Sequence, residues 1–248
     1  MDLDGGWTAS ARAYIEFQDR GDPSRSMLLD AVMLRLCGDV AGRRILDLGC
    51  GEGRFSRMLA GRSASMVALD LVREMVMTAR QRSATAAAYV EASAEALPMR
   101  DASFDLVVSY ITLVDLPDFR LAIAEAARVL QPGGHFVVAN LGFITATPDS
   151  SRFPRITGWV RDETGARMYR PIDRYMDERP QIYEWAGIKI RNWHRPLSWY
   201  IQAYLDSGLI LRDFIEPMPP DDSLRSDPSL EDWYRVPEFT VMRWRKPG

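Results

Sequence analysis

The chain has 248 residues, with 31 basic against 34 acidic side chains, a formal charge of −3 and 47% hydrophobic residues. That length gives a sizeable core with room for an elaboration on it, and the scattered arginines leave no basic face of the kind nucleic acid needs. Two cysteines are too few for a disulfide framework, and no apolar run reaches the ~18 residues of a membrane span, so the expectation is a soluble cytoplasmic protein with no membrane partner.

The N-terminal stretch is polar and carries Gly5-Gly6. Ser10 or Thr8 is expected to cap a short helix bearing Tyr14, Ile15 and Phe17, which Gly21-Asp22-Pro23-Ser24 ends. A second helix is predicted from Ser26 to about Cys37, with Met27, Leu28, Ala31, Val32, Leu34 and Leu36 as its apolar positions and Gly38 and Gly42 after it.

Arg44–Gly53, R-I-L-D-L-G-C-G-E-G, reads as a buried strand entering a glycine turn and then a helix. Ile45, Leu46 and Leu48 form the apolar run, Gly49, Gly51 and Gly53 punctuate its end, and Phe55, Met58 and Leu59 open a helical face. Glycines are needed where the backbone turns sharply and a ligand lies against the main chain, and the new helix offers unpaired N–H groups there. The spacing is not the dinucleotide G-x-G-x-x-G, because Arg54 stands at its third glycine. Asp70 ends the next apolar run, Met66–Leu69, at the distance that puts a carboxylate beside ribose hydroxyls. The plainer reading is a β-turn-α unit with no ligand.

Strands are predicted near 44–49, 66–70, 88–92, 104–109 and 135–140. Helices are predicted near 54–61, 72–82 and 118–130, with a short one near 94–97. Such alternation implies a parallel sheet with helices on both faces and a ligand crevice beyond the carboxyl ends of the strands. Gly49, Asp70, Ser93, Ser109 and Asn140 all fall at predicted strand ends.

Residues 142–193 break the rhythm. Phe143, Phe153, Trp159, Tyr169, Tyr175, Tyr183, Trp185 and Trp193 crowd a stretch too long for a simple connector. Gln181–Trp185 and Ile188–Trp193 alternate around Gly187 like a hairpin. The segment is expected to cap a planar or apolar small molecule; a structural elaboration or a dimer arm is the plainer reading. A helix from Ser198 to Asp206, a strand over Leu209–Ile215, a proline-rich loop expected to be mobile at its tip, and a strand over Glu238–Arg245 complete the chain.

The sequence resembles the class I S-adenosylmethionine-dependent methyltransferases, small-molecule type. I-L-D-L-G-C-G-E-G is similar to their first motif. Asp70-Leu71 with Met75, Ala94-Glu95-Ala96-Leu97-Pro98, Phe104–Val107 with Ser109-Tyr110, and Arg128–Gly134 are similar to later motifs, in family order over about residues 40–141. The resemblance implies an α/β, doubly wound, seven-stranded, mostly parallel sheet, with the last strand antiparallel and inserted between the fifth and sixth. It also implies an N-terminal helical lid over 1–42, a core over 43–141 and 195–248, and an inserted substrate cap over 142–194. S-adenosyl-L-methionine is the implied cofactor, leaving as S-adenosyl-L-homocysteine. Backbone at Gly49, Cys50 and Gly51 would lie against its amino-acid part, with Asp47 bracing the turn. Asp70 would accept from the ribose hydroxyls, Leu71 and Met75 would pack on the adenine, and Ala94 would read its edge. Where the family often carries an acid, this chain has Ser93, which shifts that readout toward Glu95. Ser109 and Tyr110 would meet the methionine part.

Methyl transfer from a sulfonium is a single displacement, so the protein's task is alignment and exclusion of water, with a base added if the acceptor carries a proton. His194, where the cap returns to the core, and Asp115 are the candidate bases; the plainer readings are a histidine pinning the cap and a helix N-terminal acid. His135 starts the fifth strand, away from the crevice, and is read as structural. Tyr14, Asn140 and Trp193 are candidate substrate contacts. No metal is expected. The expected activity is methyl transfer to an O, N or C atom of a small aromatic or natural-product-like molecule, by a monomer or homodimer without nucleic-acid partners. A non-catalytic cofactor-binding regulator is the alternative.

Overall fold

The computed structural model describes residues 4–62, 64–84, 87–142, 159–220 and 230–248. Helix α1 (Trp7–Asp19) leads to a π-helical turn (Arg25–Leu29) and α2 (Asp30–Cys37). Then β1 (Arg44–Leu48), α3 (Arg54–Ala60), β2 (Ser65–Asp70), α4 (Arg73–Arg82), β3 (Ala88–Glu91), β4 (Phe104–Tyr110), α5 (Phe119–Val129) and β5 (Leu130–Leu141) alternate. Two short strands, β6 (Val160–Arg161) and β7 (Arg167–Tyr169), precede the hairpin of β8 (Arg179–Trp185) and β9 (Ile188–His194). The chain closes with α6 (Leu197–Asp206), β10 (Ile210–Ile215), α7 (Glu231–Arg235) and β11 (Phe239–Arg245).

The seven-stranded sheet runs β10-β11-β5-β4-β1-β2-β3. Strands β1 to β5 are mutually parallel, and β11 lies antiparallel between β5 and β10. The order reverses between β1 and β4, which is where such sheets open a crevice. Ile45, Leu46 and Leu48 are all buried because helices cover both faces. One face packs α5 and α6 through Phe119, Tyr200 and Tyr204 against Trp244 of β11, and the other packs the π turn, α2 and α3 through Leu29, Met33, Phe55 and Leu59. α5 earns its place by an apolar stripe at 119, 122, 123 and 126 and by Asp118, whose carboxylate accepts from the backbone N–H of Arg120 and Leu121.

Several local expectations need correcting. Ser10 and Thr8 do not cap α1. The helix starts at Trp7, and the Asp4 carboxylate accepts from the backbone N–H of Gly6 and Thr8 instead. Residues 94–97 form turns rather than a helix, and the helix expected from Ser26 opens as the π turn. Phe143, Phe153 and the tip of the proline-rich loop at 221–229 lie outside the described residues.

Candidate active site: a cavity at the strand tips

A cavity of about 430 Å³ opens at the carboxyl ends of β1, β2 and β4 and is walled above by α1 and the β8–β9 hairpin. Its floor is the glycine turn. Gly49 has φ +68°, and a Cβ there would come within 2.2–2.9 Å of Thr112. The Thr112 hydroxyl donates to the Leu48 carbonyl at 2.9 Å, so strand tip and turn are locked together from behind. Gly51 has φ +55°, and a Cβ there would meet only the Tyr14 ring, at 3.6 Å. The main chain at Gly51 therefore faces the cavity bare.

Asp70 ends β2, half-buried, and its two oxygens accept from the backbone N–H of Gly51 and Val72, each at 2.9 Å. Burial raises its proton affinity against those hydrogen bonds. Leu71, Met75, Ser93, Ala94 and Glu95 continue the wall on that side. The Ser93 hydroxyl accepts from the Glu95 N–H at 3.1 Å, and one Glu95 oxygen accepts from the Asp118 N–H at 2.6 Å, tying Glu95 to the start of α5. Beneath the turn, Asp47 accepts from the Ser56 hydroxyl at 2.5 Å, and burial pushes its carboxyl up to about 6. Burial also holds the Cys50 thiol well above its usual range, so it stays protonated.

A charged cluster closes the end beside Gly51. Arg25 donates to the Tyr14 hydroxyl at 2.9 Å, pairs with Asp22 at 3.1 Å and lies 4.7 Å over the Tyr110 ring. Tyr110 donates to Asp30, which also holds Arg54. Much of the remaining wall is apolar and aromatic, with Trp7, whose ring meets that of Tyr14 edge-on at 5.1 Å, and with Tyr183, Trp185 and Ile190. Asp115 also stands in the cavity wall. Asn192 Nδ2 donates to its Oδ1, Trp7 supplies a further hydrogen bond, and burial pushes the carboxyl up to about 8.

Four expected site residues are not on this cavity. His194 lies two residues beyond Asn192 on β9, past the cavity's end. Its Nε2 is 2.9 Å from the Tyr175 carbonyl, and burial lowers its proton affinity. Trp193 points to the opposite face of β9 by the strand's two-residue period, against the Arg195 guanidinium. Asn140 and Trp193 both border a separate small polar space beside Tyr200 and Thr240. Ser109 is fully buried within the sheet. Conversely, Arg25, Trp7 and Asn192 line the cavity without any motif in the sequence pointing to them. Arg25 sits on an irregular turn, and Asn192 looks like any polar residue of a hairpin, so neither carries a sequence signal.

Residues 46–138 match the methyltransferase-domain family. A malonyl-[acyl-carrier protein] O-methyltransferase from Erwinia billingiae is 37% identical over 129 residues, covering 49% of this chain and 51% of that protein. The O-methyltransferase cnsE of Penicillium expansum is 31% identical over 190 residues, covering 71% of this chain and 66% of the relative. A crystal structure of an S-adenosylmethionine-dependent methyltransferase from Mesorhizobium loti superposes with a TM-score of 0.78 at 29% identity, covering 92% of this chain and 99% of that one. The chain belongs to the class I S-adenosylmethionine-dependent methyltransferases. S-adenosylmethionine is the cofactor of this family, and the cavity lies at the sheet edge where the fold binds ligands. The chain spans between half and two thirds of the length of these curated relatives. Among the described residues no helix is long and apolar enough to cross a membrane, and no cluster of His, Cys, Asp or Glu could hold a metal ion.

Proposed function

We propose that this protein methylates an oxygen atom of a small, largely apolar or aromatic acceptor at the expense of S-adenosylmethionine. The observation that carries the reading is that one cavity joins the bare backbone of Gly51 and the Asp70 carboxylate to the aromatic wall of Trp7, Tyr183 and Trp185. The residues fit the cofactor. Gly49, Cys50 and Gly51 offer a main-chain shelf for its amino-acid part, and Arg25 beside Tyr14 offers a cation for its carboxylate. Asp70 keeps lone pairs for ribose hydroxyls beyond the two backbone N–H groups it already serves. Leu71 and Met75 offer an apolar face for the adenine, with backbone at Ala94 at its edge.

When bound, the cofactor supplies a methyl carbon on a good leaving group. The protein's own contribution is to aim the acceptor and exclude water, which the α1 and β8–β9 roof is placed to do. The aromatic wall fits a planar or apolar acceptor. The choice of oxygen over nitrogen or carbon is supported by the two relatives named as O-methyltransferases.

The test has two stages. S-adenosylhomocysteine should raise the melting temperature where NAD does not, because only a ligand of the folded state stabilises it. Labelled methyl should then pass from S-adenosylmethionine to hydroxyl- or carboxyl-bearing members of a small-molecule panel. Cofactor binding with no acceptor methylated across a broad panel would favour a regulator that binds the cofactor without turnover.

A further inference from the structure

Asp115 is a half-buried carboxyl in the cavity wall, with no ion-pair partner among the described residues. Its backbone N–H donates to the Thr112 carbonyl at 2.9 Å, and the Thr112 hydroxyl in turn grips the Leu48 carbonyl at the glycine turn. Its side chain takes neutral hydrogen bonds from Asn192 of β9 and Trp7 of α1. The charged and titratable groups around it are Asp70 at the tip of β2, Arg25 on the π turn, Tyr14 on α1 and Tyr200 on α6. Arg25 is already engaged by Asp22 and Tyr14, and no arginine or lysine among the described residues is ion-paired with Asp115. Burial therefore favours its protonated form near neutral pH.

The rest of the argument stands on the proposed cofactor assignment. In S-adenosylmethionine the sulfonium is the atom that joins the amino-acid part to the ribose. If the glycine turn holds the first and Asp70 the second, the sulfonium lies between them. Asp115 lines the same cavity as both, and its own turn is tied to the glycine turn through Thr112. A cation placed there favours the carboxylate, as any opposite charge within a few ångströms does.

We infer that Asp115 is a charge-sensing carboxyl, protonated in the cofactor-free protein and ionised when the sulfonium enters, so that the protein tells S-adenosylmethionine from S-adenosylhomocysteine by one proton. On binding, the O–H bond of the carboxyl breaks, the proton passes to solvent, and the electron pair stays on the oxygen. The resulting carboxylate can then take the proton of an acceptor hydroxyl. The acceptor oxygen bonds the methyl carbon, the C–S pair returns to sulfur, and Asp115 ends protonated beside a neutral thioether. The cation-free product is thereby left against an uncharged wall.

Isothermal titration calorimetry at pH 7 in phosphate and in Tris, whose ionisation enthalpies differ, counts the protons. About one proton should be released per S-adenosylmethionine bound and close to none per S-adenosylhomocysteine. In Asp115→Asn the two ligands should give equal counts. If that variant fails to fold, the wild-type series decides, since the difference between the ligands should fade above about pH 9, where the carboxyl is already ionised. Equal counts for the wild type at pH 7 would overturn the inference while leaving the cofactor assignment standing. A difference that persists in a folded Asp115→Asn, or above pH 9, would place the proton on another group and overturn it too. Failure of both ligands to bind would instead remove the cofactor assignment on which the inference rests.

Discussion

Thr112 stands in the space that a side chain at Gly49 would need. The two are held at that distance by the Thr112 hydroxyl, which donates to the Leu48 carbonyl at 2.9 Å, while its methyl group lies 2.2 Å from where a Cβ on residue 49 would be. The turn is thus shaped by packing behind it as well as by any ligand before it. Gly49→Ala should cost about 2–4 kcal/mol, from the positive φ and the overlap together. Thr112→Ala in the same chain should recover part of that loss, and a double-mutant cycle in urea measures the coupling.

Asp70 serves the fold and the proposed ligand at once. Asp70→Ala frees the N–H groups of Gly51 and Val72 and removes an anionic acceptor from the cavity. Affinity for S-adenosylhomocysteine, read by calorimetry, should fall about 10–100-fold, the size expected for charge-assisted hydrogen bonds of ~1.5–3 kcal/mol. Unchanged affinity would mean that the ribose site has been misplaced.

The buried acids give stability a direction with pH. The Asp115 carboxyl, raised to about 8, and that of Asp47, raised to about 6, both bind protons more tightly in the folded chain than in the unfolded one. Stability should therefore fall as pH rises through about 4–8, where the folded state holds the extra protons, and level off above. The two histidines, lowered by burial, act in the opposite sense near pH 6.5. Comparing wild type with Asp115→Asn by chemical denaturation at pH 5, 6.5 and 8 isolates the aspartate. The stability of the variant relative to wild type should increase with pH.

Arg195 straps the cap to the turn that bears Asp115. One Nη donates to the carbonyls of Leu116 and Pro117 at 2.9 and 2.8 Å, while Nε meets Glu178 at 2.5 Å. Arg195→Met leaves both carbonyls without their donor and should cost about 2–4 kcal/mol in thermal or urea unfolding. Arg195→Lys should recover only part of this, because an ammonium cannot reproduce the planar fork.

The Ser10 hydroxyl staples the roof, alongside the Arg191 N–H that donates to the Gly5 carbonyl at 2.8 Å. Ser10 donates to the Lys189 carbonyl at 2.9 Å and accepts from its N–H at 3.0 Å, joining α1 to β9. Ser10→Ala should speed amide hydrogen exchange across α1 and at Lys189 while leaving β1 and β4 protected. Equal acceleration in the sheet would mean that the roof does not open as a separate unit.

Much of this protein was written locally. Ile45–Leu48, Val67–Leu69 and Leu106–Val108 announce strands buried on both faces, and the glycines after Leu48 announce the turn, because backbone and burial demands there act within a few residues. Asp70 was legible for the same reason, since its place at a strand tip follows from the strand itself. Tertiary packing decided the rest. Whether a hairpin residue faces the cavity depends on where β9 crosses the fold, and that crossing brought Asn192 to Asp115 and carried His194 past it to Tyr175. Arg25 reached the cavity through an irregular turn that no periodicity encodes. A spacing can fix which side of its own element a side chain takes; which other element it then meets is set by packing among segments far apart in the chain.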